Sequence, residues 1–270
     1  MKQRWMKLIN EKPNYSEWVK VYTEKGKIFI IKLQRGGILQ THHGSLSHSD
    51  IIEAGYGKMV RFSSGSHAHI LRPGIDDNSM KIKRLTQIVY PKDIGFILLK
   101  LDIKEGDYVL EAGLGSASMC GALSRYVGES GKVYTYEKRE EFLKTSMSNL
   151  NKWNLLNRVV FHLQDVGEGF KESDYDAAFI DLPYPVPQLK YVREKLKFSG
   201  RLCVLCPTVN QCSQVIHEMN DLGFTQVEMW ESIFRPFKTN PDRIRPVDMI
   251  YAHTAYLIFG QKISKETEEN

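Results

Sequence analysis

Three observations predict an α/β protein, a doubly wound sheet preceded by a small all-β segment. Short apolar runs alternate with amphipathic ones from about residue 93 to 260, the succession that builds a sheet covered by helices. The stretch "YVLEAGLGSASMC", Tyr108–Cys120, reads as strand, glycine turn and helix start. Before it, residues 18–73 carry only brief alternating runs broken by glycines, as in a small antiparallel sheet or barrel.

Taken in order, "WVKVYT", "IFIIKL", "GILQT", "GKMVRF" and "HAHILRP" are the β-like runs of the first segment, and "GIDDNSMKIKRLTQ" is a polar joint. Helices are expected at "DIGFILLKLD", "SASMCGALSRYVG", "REEFLKTSMSNLNKW", "QLKYVREKLKF" and "VNQCSQVIHEMNDLG". Strands are expected at "DYVLEAG", "GKVYTYE", "RVVFHLQD", "YDAAFIDL", "GRLCVLCP", "TQVEMWE" and "HTAYLIFG". The result is a doubly wound sheet closed by a terminal antiparallel element. We place a small β domain at 1–75, the α/β domain at 76–263 and a disordered tail at 264–270.

Composition narrows the class. The chain has 270 residues, 42% of them hydrophobic, enough for one large domain or an ordinary domain with a small one. No apolar run approaches the roughly 18–20 residues of a membrane span, and "MKQRWMKLIN" lacks a signal-peptide core, so a soluble, cytoplasmic chain without a membrane partner is expected. Four cysteines, Cys120, Cys203, Cys206 and Cys212, are too few for a disulfide framework. Cys203 and Cys206 fall on opposite faces of a predicted strand, as buried thiols rather than a redox or zinc pair. Charge is uneven: residues 1–90 hold 15 Lys+Arg and 7 Asp+Glu, the remainder 22 and 25. A basic first third suits either a polyanionic partner or a solvated surface.

The glycine turn locates the candidate site. Glycines at Gly113 and Gly115 bare the backbone where the first α/β strand ends, and the N–H groups of the following helix favour polar or anionic groups. Glu137, at the end of the next strand, lies 24 positions beyond Gly113, where a carboxylate grips both hydroxyls of a ribose. Ser118 stands where a dinucleotide fingerprint has its third glycine, so an adenosine-containing methyl donor is favoured over a dinucleotide. Strand-end acids recur at Glu111, Glu137, Asp165 and Asp181, all facing one crevice.

With these residues in view, "GGILQTHHGSLSHSDII", "LRPGIDD", "TQIVYPKDIGFIL", "VLEAGLGSAS", "YTYEKREEF", "FIDLPYP", "PTVNQ" and "HTAYLIFG" resemble consecutive landmarks of the tRNA adenine-N1 methyltransferases of the TrmI type. The resemblance runs from about residue 36 to 260. It implies a class I, Rossmann-like methyltransferase domain behind a small β domain that serves RNA binding or oligomerisation. It also implies S-adenosyl-L-methionine as cofactor, tRNA as partner, a homotetramer, and methylation of N1 of a T-loop adenine, position 58 with 57 as a second candidate. Asp181 and Tyr90 are the catalytic candidates. The candidate cofactor contacts are Gln87, Gly113, Leu114, Gly115, Ser116, Ala117, Ser118, Glu137, Gln164, Asp165 and again Asp181, with Glu111 as support behind them.

Two departures from the family pattern stand out. The usual "GxGSG" is "GLGSA", with Ala117 at the last position, and the tryptophan expected in "DxxxPW" is absent from Asp181–Val186, leaving Tyr184 as the aromatic nearby. His42, His43, His48 and Asp50 invite a metal reading, but adjacent histidines on a strand would diverge, so no metal is expected and a structural or RNA-contacting turn is favoured. "RPFKTNPDRIRP", with Arg235, Lys238, Arg243 and Arg245, reads as a flexible phosphate-binding loop or a solvated connection. Another class I enzyme, such as a protein isoaspartyl methyltransferase, and a non-catalytic RNA-binding subunit remain the alternative functions.

Overall fold

The computed structural model describes residues 11–250 and 252–264, so the signal-peptide argument on 1–10 and the tail from 265 lie outside the described residues. The chain divides into two compact units, 1–81 and 82–270.

In the first unit, β1 (Trp18–Thr23), β2 (Ile28–Lys32), β5 (Met59–Arg61) and β6 (His67–Leu71) form an antiparallel sheet in the order β2-β1-β6-β5. A separate hairpin pairs β3 (Ile38–Thr41) with β4 (Gly44–Ser47). Alternation in β1 turns Val19 and Val21 inward onto Leu33, Leu46, Ile51, Phe62 and Ile70, the period of a strand with one buried face. Two short helices join the expected strands. The first, α1 (His48–Ala54), starts because Ser47 Oγ accepts the Asp50 N–H at 3.0 Å, an N-cap, and it buries His48 and Ile51, three apart. The second, α2 (Ile75–Lys81), occupies the stretch read as a polar joint. Its Asp77 turns inward, accepting from Lys20 Nζ at 2.5 Å and the Gly74 N–H at 2.9 Å. A polar composition concealed it because its buried positions are Asp77, Asn78 and Ser79 rather than apolar residues.

The second unit is a seven-stranded sheet in the order β12-β15-β11-β10-β7-β8-β9. Its strands are β7 (Tyr108–Ala112), β8 (Lys132–Glu137), β9 (Val159–Leu163), β10 (Tyr175–Ile180), β11 (Leu196–Cys206), β12 (Phe224–Trp230) and β15 (Tyr256–Lys262). The first five of these run parallel, while β15 inserts antiparallel between β11 and β12. Helices α3 (Pro91–Leu101), α4 (Ser118–Tyr126), α5 (Glu140–Lys152), α6 (Leu189–Lys195) and α7 (Val209–Asp221) accompany it. Proline at N1 starts α3, and Asp102 in the left-handed region ends it, as their backbone preferences allow. The four cysteines are buried and free.

Three boundaries differ from expectation. Helix α6 stops at Lys195 and β11 begins at Leu196, so "LKF" continues the sheet instead of the helix. Helix α4 starts at Ser118, after Ala117 at φ 67°, rather than near Ser116. The stretch 235–246 is not an irregular loop: β13 (Phe237–Lys238) pairs with β14 (Arg245–Pro246), and Asp248 holds Lys238 at 2.6 Å and Arg245 at 3.4 Å.

The sheet reverses its winding between β7 and β10, opening a crevice at their carboxyl ends. There Gly113 has φ 95°, and a β-carbon on it would stand 2.0 Å from the Asp181 carbonyl oxygen. Gly113→Ala should therefore reduce unfolding stability by about 2–4 kcal/mol, from backbone strain plus overpacking. Ala117→Gly should preserve stability or raise it by up to about 1 kcal/mol, because it relieves a left-handed alanine. Denaturant unfolding of the two variants checks both signs.

Candidate active site

The crevice is a cavity of about 450 Å³, of a size that holds a nucleoside-scale ligand. One side is the glycine turn, Gly113 to Ser116, with Ser118 and Met119 of α4. The segment 86–90 faces it, and Asp181, Leu182 and Pro183 follow β10. Leu205, Pro207, Thr254 and Ala255 contribute from the β11 and β15 side.

Buried and part-buried hydrogen bonds fix the turn and the facing segment together. Asn149 of α5 donates to the carbonyls of Lys83 and Ser116, both at 3.0 Å, and accepts the Lys83 N–H at 3.3 Å. Ser116 Oγ accepts the Leu85 N–H at 3.2 Å, and Ser118 Oγ donates to the Val89 carbonyl at 2.9 Å. Ser146 Oγ donates to the Gly115 carbonyl at 2.8 Å. This fastening delivers Gln87 and Tyr90 to the cavity as a pair, Gln87 Nε2 donating to Tyr90 Oη at 2.8 Å. Tyr90 is buried, at the residue immediately before α3.

The acids lie in graded environments. Asp181 follows the last residue of β10 and has its N–H on the Ala112 carbonyl at 2.9 Å. Desolvation by burial raises its carboxyl to about 6. Glu111 lies fully buried behind the turn and accepts from Thr135 Oγ1 at 2.7 Å. Burial first, and the nearby charges of Asp181 and Glu137, bring its carboxyl up to about 8 despite the Thr135 hydrogen bond. It is therefore mostly protonated at neutral pH, a support rather than a charged contact.

Glu137 at the end of β8 is buried and faces Arg139, whose backbone N–H and Nε reach Oε1 at 3.0 and 2.9 Å. Arg139 itself lines the cavity. Its terminal nitrogen stands 3.4 Å from Oε2, the less engaged oxygen of the carboxylate.

Of the predicted residues, Gln87, Tyr90, Gly113, Leu114, Gly115, Ser116, Ser118 and Asp181 line the cavity together. Ala117 is buried behind its backbone, and Glu137 is linked to the cavity through Arg139. Gln164 and Asp165 do not line this cavity. They follow β9 one strand further along, where Gln164 Nε2 donates to the Gly169 carbonyl at 2.9 Å and Asp165 accepts the Gly167 N–H at 2.9 Å. That hydrogen bond chiefly keeps the Asp165 carboxyl low. Tyr184, the aromatic near the missing tryptophan, is 81% exposed and outside the lining. Sequence reasoning missed Thr86, Asp93, Arg139, Pro207 and Thr254, although all five stand inside the motifs that carry the family resemblance.

The histidines do not lie along one strand. His42 and His43 form the turn between β3 and β4 with ring centroids 3.9 Å apart, because turn residues do not follow the alternation of a strand. His48 is at the start of α1, with Nδ1 accepting the Gln34 N–H at 2.9 Å. Among the described residues no group of three or more His, Cys, Asp or Glu is placed to hold a metal ion.

Two features beside the cavity suit a polar ligand. Helix α4 has no side-chain N-cap, leaving its first amides for a ligand's carboxylate. A buried carboxylate, Glu137, stands one strand along, complementary to vicinal hydroxyls.

Residues 66–257 match the family described as tRNA methyltransferase complex GCD14 subunit, and residues 14–60 match the TrmI-like N-terminal family. The tRNA (adenine(58)-N(1))-methyltransferase TrmI of Thermus thermophilus is 30% identical over 235 residues, covering 87% of this chain and 92% of that protein. Among solved structures, a SAM-dependent O-methyltransferase from Thermotoga maritima is 44% identical with a TM-score of 0.89, covering 95% and 96% of the two chains. The tRNA (m1A58) methyltransferase TrmI of Aquifex aeolicus is 32% identical with a TM-score of 0.81, covering 94% of this chain and 100% of that one. A class I methyltransferase core behind a TrmI-like N-terminal segment is thus matched along nearly the whole chain, which belongs to the TrmI-type tRNA methyltransferase family.

Proposed function

We propose that this chain is an S-adenosylmethionine-dependent tRNA methyltransferase acting on N1 of a T-loop adenine, position 58, with 57 as a second target. The observation that carries the proposal is the joining of Asp181 and the Gln87–Tyr90 pair to the glycine turn in one cavity. The Thermus and Aquifex relatives bear this activity in their names. They favour it over an isoaspartyl enzyme, and the intact glycine turn with Glu137 and Asp181 favours a catalytic chain over a non-catalytic subunit. The Thermotoga structure, described as an O-methyltransferase, supplies the rival chemistry, a hydroxyl acceptor.

When bound, S-adenosylmethionine supplies a methyl group activated on a sulfonium. Glu137 would hold the ribose hydroxyls, and the amides at the start of α4 would take the amino-acid end. Gln164 and Asp165 lie where β9 ends and are assigned to the adenine side of the donor. Tyr90, fixed by Gln87, supplies a flat wall against which an extruded base stacks. Asp181 accepts a hydrogen bond from the N6 amino group of the target, directs N1 at the methyl, and receives a proton as positive charge develops on the ring. Orientation carries most of the remaining rate.

The basic first unit is assigned to tRNA binding. Lys58 and Arg61 are exposed there, whereas Arg72 is committed to Glu11 at 2.5 Å and to the Tyr56 ring at 4.0 Å. A homotetramer and a cytoplasmic site of action complete the proposal. Exposed Ile233, Phe234, Phe237, Ile244 and Met249, all between β12 and β15, support burial of that stretch in an assembly. Among the described residues no helix is long and apolar enough to cross a membrane.

Incubation of unmodified tRNA with donor, followed by mapping of reverse-transcription stops, tests the substrate; a new stop at the T-loop adenine is expected, and methylation of a hydroxyl instead supports the rival. Asp181→Asn should lower single-turnover transfer at saturating donor by roughly 100- to 10,000-fold. Because Asp181 works ionised and its carboxyl is raised to about 6, the wild-type rate should climb with pH through about 6 and then level. Transfer within a few fold of wild type would remove Asp181 from the mechanism. Glu137→Ala should weaken donor binding by about 1.5–3 kcal/mol in calorimetry, the worth of charge-assisted hydrogen bonds. Neutralising Lys58 and Arg61 should raise the tRNA concentration for half-saturation and reduce its logarithmic salt slope by about 1 per lost phosphate contact.

A further inference from the structure

The cavity has a buried ionic knot on the side away from the glycine turn. Lys92 Nζ donates to Asp93 Oδ1 at 2.9 Å, to the Ser232 carbonyl at 2.7 Å, to Ser232 Oγ at 3.0 Å and to Thr254 Oγ1 at 2.7 Å. Asp93 in turn accepts from Ser232 Oγ at 2.6 Å through Oδ1 and from Thr254 Oγ1 at 2.7 Å through Oδ2. The side chains of Lys92 and Asp93 are 9% and 2% exposed. Buried charges persist only where paired and hydrogen-bonded this fully, and loss of one partner strands the others.

Topology says which half of the site the knot serves. Asp181 follows β10, the glycine turn follows β7 and Arg139 follows β8, so the donor side lies on the β7–β8 side of Asp181. Pro207 follows β11, and Thr254 and Ala255 precede β15, so they wall the opposite side. Lys92 and Asp93 occupy the first turn of α3, directly after Tyr90. The knot thereby locks Tyr90's helix to both ends of the 232–254 excursion that leaves β12 and returns to β15. A second link crosses the same base, His253 Nδ1 to Glu231 Oε1 at 2.7 Å.

We propose that Lys92, Asp93, Ser232 and Thr254 are positioning residues for the acceptor half of the cavity, holding the wall that receives the target base in register with Tyr90 and Asp181. The inference rests on the tRNA methyltransferase proposal for the identity of that base. The knot touches no residue of the glycine turn in the hydrogen bonds given above, so its loss should misplace the acceptor and leave the donor site intact.

The test compares Asp93→Asn, Thr254→Val and Thr254→Ser, with S-adenosylmethionine and an unmodified tRNA transcript as probes. Asp93→Asn and Thr254→Val should reduce single-turnover methyl transfer tenfold or more while donor affinity in calorimetry stays within twofold. Thr254→Ser, which keeps the hydroxyl, should transfer within threefold of wild type. Donor affinity falling in parallel with transfer, or transfer by Asp93→Asn and Thr254→Val within threefold of wild type, would overturn the proposal. If Asp93→Asn does not fold, the Thr254 pair decides. Absence of transfer by the wild type would instead refute the substrate. The knot is then read by hydrogen exchange of donor-loaded protein: faster exchange in 252–257 with unchanged exchange in 113–118 sustains it, and equal exchange in both overturns it.

Discussion

The close approach of two strand ends, Gly113 against Asp181, is the constraint on which the site depends. The Asp181 N–H reaches the Ala112 carbonyl at 2.9 Å, and the position a Gly113 β-carbon would occupy lies 2.0 Å from the Asp181 carbonyl oxygen. A side chain there would force β7 and β10 apart, separating the turn assigned to the donor from the acid assigned to the acceptor. The glycine is therefore as much a matter of strand spacing as of ligand approach.

Around that contact the unit fixes its cavity with short buried polar links rather than with apolar packing alone. Asn149, Ser116, Ser118 and Ser146 fasten the glycine turn to the segment before Tyr90. Lys92 and Asp93 fasten the helix after Tyr90 to the far wall. Tyr90 thus stands between two rigid networks, a direct route to the orientation that methyl transfer to a ring nitrogen requires. Burial does the electrostatic work in the same region. It protonates Glu111 and brings Asp181 to about 6, where the carboxylate is ionised at neutral pH yet still able to take a proton.

The family match and the geometry support each other at different scales. The first unit matches the TrmI-like N-terminal family over 14–60, and the longer match runs to 257. Departures are local. Ala117 keeps the left-handed turn that a glycine would normally take, at φ 67°. Tyr184 is exposed outside the cavity, so it does not replace the missing tryptophan within this lining.

Much of the protein is legible in its sequence because the signals are local. Alternation announced β1, the apolar runs announced the sheet, and a strand followed by Gly113 and Gly115 announced the crevice. Strand-end acids could be counted from the sequence since each lies within two residues of the place where an apolar run stops. What the sequence did not determine is whatever depends on partners distant in the chain. Helix α2 was hidden because it buries Asp77 against Lys20, 57 positions away. The Lys92–Thr254 link spans 162 positions and Ser232–Asp93 spans 139, so no window of sequence contains both ends. The protonation of Glu111 and Asp181 likewise follows from desolvation, which exists only once the sheet has closed over them. Residue type and spacing set which groups reach the strand ends; tertiary packing alone decided which of them meet, and in what charge state.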